Sequence, residues 1–217
     1  RRQATATSGN RNQGASLLDA QAAALVSVVG PGTSVGSGMA CISDDWCGRG
    51  EVLGLRWADV DLDTSRIHVR QALVSVACEL VFSTPKNHRA RVIDLDPRTV
   101  DQLRFHRKRQ FEDREEWGAG YQYLDLVFCK ENGEPLHPQT YSQAFERLIV
   151  KTELPRIRLH DLRHTHATIA IQAGVPTKVI SERLGHESPA FTLKQYAHVI
   201  PGMQADAAAE IARVVTG

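Results

Sequence analysis

RLHDLRHTHATIAIQAGVPTKVISERLGHESPAFTLKQYAHV, residues 158–199, is the stretch whose reading decides the fold of this chain. It holds His160 three residues before Arg163, then Leu184-Gly185-His186, then Tyr196 ten residues after His186. Its pattern predicts helices at about 161–173, 176–184 and 189–197. Taken singly, each part has an ordinary explanation. His-X-X-Arg on a helix is commonly a solvated pair, Leu-Gly-His fits a helix C-cap with Gly185 left-handed, and a tyrosine is more often a half-buried core aromatic. Together, at these separations, they are the parts needed to attack a phosphodiester with a phenol.

The chemistry explains the combination. A phenol with a free pKa near about 10 is a poor nucleophile at neutral pH unless neighbours stabilise the phenolate and the charge on phosphorus. Arg163 offers a planar fork of donors to two non-bridging oxygens, which suits a five-coordinate phosphorus better than a lysine. His160, on the same helical face as Arg163, can accept or return the tyrosine proton. His186 can donate a further hydrogen bond to the phosphate. No metal or other cofactor is expected if arginines supply the positive charge.

Working outward, Met203–Val215 reads as a closing alanine-rich helix and a further helix is expected near Tyr141–Lys151. Asp96-Pro97 should cap a helix from Arg98 to about Arg114. RIHVRQALVSV, ELVFSTPK and RARVIDLD alternate, predicting a three-stranded antiparallel sheet, and Asp59-Val60-Asp61-Leu62 should turn the chain before it. EVLGLRWADV is helical in pattern, as is LLDAQAAALV at 17–26. Between them, six glycines from Gly30 to Gly50 break any helical period. Residues 1–16 have the composition of a flexible tail or linker.

At 217 residues and 42% hydrophobic, the chain can bury one substantial core and is too short for two large domains. Four cysteines without metal-ligand spacing fit a reduced, cytoplasmic protein, and no apolar run reaches membrane-spanning length. The net charge is only +1, but Lys86 to Arg109 holds eight Lys/Arg against three Asp. Such a cluster is often just a solvated face, yet beside a phosphate-directed motif it points to double-stranded DNA.

The 158–199 block, together with GEVLGLRWADVDLD and STPKNHRARVIDLD, resembles the catalytic domain of the tyrosine recombinases, the phage integrase family, over about 51–215. The resemblance implies a mainly α-helical α+β fold with a small three-stranded antiparallel sheet, occupying 17–217. It implies site-specific recombination, integration or excision, by DNA cleavage and rejoining through a 3′-phosphotyrosyl intermediate. Tyr196 is the implied nucleophile, with Arg163, His160 and His186 around the phosphate and Lys86, just after Thr84-Pro85, as general acid. Implied partners are duplex DNA, further copies of the chain on DNA, and accessory DNA-bending proteins. The smaller helical domain that family members carry before the catalytic domain has no counterpart ahead of residue 17.

One departure stands out. The family pattern Gly-Leu-Arg-X-X-Glu supplies a second phosphate-clamping arginine, and counting back from Glu51 its position falls on Gly48. Arg49 comes one residue late, and a one-residue shift on a helix is a rotation of about 100°, so Arg49 is expected to point away from the phosphate unless the local backbone is irregular, as the flanking glycines permit; in that case Arg49 joins Arg163 as the second clamp. Residues 27–48 as a whole do not resemble the family. A compensated pair of frameshifts in the encoding DNA, or a divergent loop, accounts for that. Three readings follow: an active recombinase, a catalytically impaired DNA-binding remnant lacking the first clamp, and a type IB topoisomerase-like enzyme sharing the chemistry without partner exchange.

Overall fold

A computed structural model of the chain describes residues 47–85, 90–150, 156–197, 208 and 211–215. The predicted helix at 17–26, nearly all of the atypical 27–48 segment, and Lys86 lie outside these residues. The order is α1 (Arg49–Leu53), a 3-10 turn at Trp57–Asp59, β1 (Val60–Asp61), β2 (Arg66–Val69), β3 (Ala72–Val76), β4 (Glu79–Ser83) and β5 (Arg91–Asp94). Helices α2 (Pro97–Trp117), α3 (Pro138–Val150), α4 (Leu159–Gln172), α5 (Thr177–Leu184) and α6 (Pro189–Tyr196) follow. Residues 208 and 211–215 are helical and exposed. No helix among the described residues is long and apolar enough to cross a membrane.

Local chemistry accounts for the helix limits. Asp96 accepts hydrogen bonds from the backbone N–H groups of Arg98 and Thr99, and Pro97 occupies the first turn, where its missing N–H costs nothing. Ser188 and Pro189 repeat the device at the start of α6. Gly185 ends α5 in the left-handed conformation (φ 66°), so the capping reading of Leu-Gly-His holds. On α3, Tyr141, Phe145 and Ile149 recur every four residues and all are buried, the stripe that seats this helix on the core.

The antiparallel sheet is three-stranded, but its membership differs from the expectation. β2 pairs with β1 on one side and β5 on the other, with Ile67 opposite Ile93, while β3 and β4 form a separate two-stranded hairpin. RIHVRQALVSV is therefore two strands, broken at Arg70-Gln71. Arg70 reaches back to the buried Asp59 (3.1 Å), and the Gln71 side-chain amide donates to the carbonyl of Gly54 (2.8 Å). Those contacts turn the chain out of the first sheet. Gly54 has to lack a side chain here, because a Cβ would lie 2.8 Å from Cα of Ala72. Val60-Asp61, expected as part of a turn, is instead the edge strand β1.

Two apolar clusters result. The larger joins α1, the three-stranded sheet, Leu73, α2, the 127–136 segment, α3 and Leu162. The smaller holds Ala167, Ile171, Ile180, Leu184 and Tyr196, from α4, α5 and α6.

Candidate active site

The site lies where the two clusters meet, and α4 spans both. Arg158 precedes α4, and its backbone and guanidinium both bond Asp161, closing the first turn. His160 and Arg163 then face a cleft of about 450 Å3, lined also by Cys47, Gly48, Arg49, Ser142 and Glu146. Arg49 is thus directed into the same cleft as Arg163, contrary to the expectation from register. The physical reason is that α1 begins at Arg49, with Gly48 extended before it (ψ 152°), so no preceding helix sets the rotation. The Arg49 guanidinium donates to the Ser142 hydroxyl on α3 at 2.7 Å.

Behind the cleft, Glu51 accepts two hydrogen bonds from Arg91 at 2.7 and 2.8 Å, and its carboxylate also accepts the N–H of Gly48 at 2.8 Å. Burial works to raise the Glu51 pKa, but Arg91, through its hydrogen bonds and charge, brings it below the ordinary value. Arg91 in turn donates to the carbonyl of Arg183 (3.1 Å), tying sheet to α5. Arg163 is mostly buried, and its guanidinium donates to the carbonyl of Leu184. Burial lowers its pKa, opposed by the Glu51 charge.

Tyr196 ends α6 and is only 2% exposed. Its hydroxyl lies 3.0 Å from Nδ1 of His164, and its ring stacks at 6.5 Å on His186. His186 Nδ1 is 2.7 Å from the Thr192 hydroxyl. Burial, then the charges of Arg163, His164 and Arg91, push the His186 pKa down to about 4, so it is neutral at pH 7. Of the other tyrosines, Tyr141 is buried in the larger core and Tyr121 lies beside Cys129.

The structure therefore brings Arg49, His160 and Arg163 to one cleft and sets Tyr196 and His186 against α4 from the side. Two contacts were missed from sequence. Ser142 carried no signal. His164 did, standing one helical turn after His160, but its partner is 32 residues away.

The phage integrase family model matches residues 49–202, and the chain belongs to this family. It is 29% identical over 177 residues to a XerC-like tyrosine recombinase of Caldanaerobacter subterraneus subsp. tengcongensis, covering 73% of this chain and 44% of that protein. The ICEBs1 integrase of Bacillus subtilis (strain 168) is 29% identical over 160 residues, 73% and 43% of the two chains. The chain thus spans less than half the length of these relatives. Among solved structures, the Tn1549 transposon integrase in complex with transposon right end DNA matches the fold with a TM-score of 0.70 at 22% identity, over 98% of this chain and 67% of that one.

Proposed function

We propose that the chain is the catalytic domain, residues 17–217 with 1–16 as a tail, of a cytoplasmic site-specific recombinase that cleaves and rejoins duplex DNA through Tyr196. The observation that carries this reading is the convergence of Arg49, His160 and Arg163 on one cleft, with the Tyr196 hydroxyl held against the helix that bears Arg163. A phosphate between the two guanidiniums would have its non-bridging oxygens held by charged, planar donors. The phenol oxygen would then attack phosphorus and the bond to the 5′ oxygen would break, leaving a 3′-phosphotyrosyl link. The DNA bond energy is kept in that link, so rejoining needs no nucleotide cofactor.

His186 fits the role of a neutral donor. With Nδ1 engaged by Thr192, Nε2 is the nitrogen left for a phosphate oxygen. His160, exposed on the cleft wall, would add a hydrogen bond there. Lys86 is proposed as the acid that protonates the leaving 5′ oxygen. The exposed Ile211, Val214 and Val215 suit docking onto another copy bound to the same DNA.

The test is covalent capture on nicked duplexes tiled across the DNA flanking the gene that encodes the chain. Wild-type protein should form a denaturant-resistant adduct, and Tyr196→Phe should form none while binding DNA equally well. Binding without any adduct would identify the chain as an impaired DNA-binding remnant. Relaxation of supercoils without joining of two sites would favour a topoisomerase.

A further inference from the structure

Nδ1 of His164 lies 3.0 Å from the Tyr196 hydroxyl, and the function proposed above gives His164 no part. We propose that His164 is a catalytic residue, the group that takes the phenol proton as Tyr196 attacks phosphorus. This rests on the reading of Tyr196 as nucleophile.

The geometry separates the two histidines of the His160-Asp161-Leu162-Arg163-His164 turn. His160 is exposed, lines the cleft with Arg49 and Arg163, and meets His164 only ring edge to ring face at 4.9 Å. His164 is half-buried, and its Nδ1 is already at hydrogen-bond distance, 3.0 Å, from the reacting oxygen. The residue next to it, Arg163, is the one that would hold the phosphate. Proton acceptor and phosphate clamp are thus adjacent on one rigid helix, as concerted attack requires.

His164 is also in the right protonation state. Burial, then His160, Arg163 and Arg158, lower its pKa against the charge of Asp161, so it is neutral at pH 7. Tyr196 and His186 face it from the other side, and burial keeps His186 neutral at that pH. A neutral imidazole with its proton on Nε2 presents a lone pair at Nδ1.

The step balances. The O–H bond of Tyr196 breaks and its proton passes to Nδ1, the phenol oxygen bonds to phosphorus, and the phosphorus bond to the 5′ oxygen breaks. That oxygen takes a proton from the general acid, Lys86 in the reading above. In rejoining, an incoming 5′ hydroxyl gives its proton to the now neutral Lys86 as its oxygen attacks phosphorus, the phosphorus bond to the phenol oxygen breaks, and protonated His164 returns its proton to the departing phenolate. Because Tyr196 is buried, DNA must first uncover its hydroxyl.

His164→Asn is the informative variant, since its carboxamide oxygen can occupy the Nδ1 position and keep the hydrogen bond but cannot take the proton. Single-turnover adduct formation should slow about 10²–10⁴-fold with DNA affinity unchanged, and His164→Phe should be no faster. The deficit should persist on DNA whose bridging 5′ oxygen is replaced by sulfur, because a thiolate leaves without a proton, whereas Lys86→Ala should recover on that DNA. Wild-type speed in His164→Asn, or recovery on the sulfur substrate, would overturn the assignment. Failure of the underlying reading looks different: adduct would survive Tyr196→Phe, or never form with wild-type protein. Independently of cleavage, the His164 imidazole followed by NMR should change its titration midpoint in Tyr196→Phe; an unchanged midpoint would refute the contact itself.

Discussion

The two halves of the site stand on foundations of unequal size. Among the described residues, Arg49 and the Glu51–Arg91 pair rest on a core of eighteen buried residues running from Cys47 to Leu162, whereas Tyr196 belongs to a cluster of five. Burial of apolar surface is the main stabilising contribution, so resistance to local opening should follow cluster size. The half proposed to bind phosphate should thus be the rigid one, and the half carrying the proposed nucleophile should open without unfolding the rest. Such an arrangement would suit the proposed role of Tyr196, which is buried and would have to reach a phosphate.

Truncations on either side give the largest effects and the most direct way to break this comparison. Phe145→Ala, in the larger core, should cost about 3–5 kcal/mol and lower global stability measured by denaturant unfolding. Ile180→Ala, in the smaller one, should cost about 2–3 kcal/mol. The distinction lies in hydrogen exchange. Ile180→Ala should speed amide exchange in α5 and α6 while β2 and α3 stay protected. Uniform acceleration in all elements would show that the two clusters open as one.

Arg49 tests the rigid half by function. Arg49→Ala should slow cleavage about 10²–10³-fold, the worth of one preorganised charge donor, while leaving the unfolding midpoint unchanged because the side chain is exposed. Gly48→Arg is sterically tolerated, since a Cβ there would meet only the Glu51 carboxylate at an ordinary 3.5 Å. It should give no gain if Arg49 already fills the clamp position. A rise in single-turnover rate for Gly48→Arg would mean that the late arginine is an imperfect substitute.

Acid should separate the halves without mutation. His166 and His186 have pKa values pushed down to about 4, in each case mainly by burial and then by nearby arginines. Unfolded, they take up protons near 6.5, so the unfolded state gains protons first and stability falls as pH drops from about 6.5 toward 4. Glu51 behaves differently. Its pKa is depressed in the fold, so its contribution is complete above about 4.5 and is lost only as pH falls further. Between pH 7 and 5, amide protection in α4 to α6, corrected for the intrinsic exchange rate at each pH, should therefore fall while that of the β2–β5 pairing holds. Simultaneous loss would remove the histidines as the cause.

How much of this could be read from the chain depends on whether the deciding contacts are local. Asp96-Pro97 and Leu184-Gly185 announced helix limits because capping involves residues within a turn of each other, and α2, α5 and α6 fall close to where they were expected. Arg70-Gln71 gave no such notice. The apolar alternation runs straight through it, and the break is made by Asp59 and Gly54, more than ten residues away. At the site, the motif residues on α4 and α6 were legible as a group, and the structure places them close together. The position of Arg49 was not, because a rotation argument needs to know where the helix starts. His164 was passed over because its partner is brought to it only by the packing of α6 on α4.

The smallest change asks whether stability can be added on one side alone. The β3–β4 hairpin closes through Ala77 and Cys78, both with positive φ (49° and 68°), and Val76 pairs with Glu79 across them. Two positive φ values in a two-residue loop are the geometry in which Asn-Gly is favoured, and residues with a Cβ are strained there. Both loop residues are exposed, so replacing them removes no packing. Ala77→Asn with Cys78→Gly should stabilise the protein by about 1 kcal/mol, a rise of roughly 2–4 °C in Tm for a chain of this size. Because Leu73 of β3 is rooted in the larger cluster, the gain should appear as slower exchange in the sheet and not in α5 or α6. Slower exchange in α6 as well would mean that the tyrosine helix draws its stability from the larger core, and that a single opening governs both halves of the site.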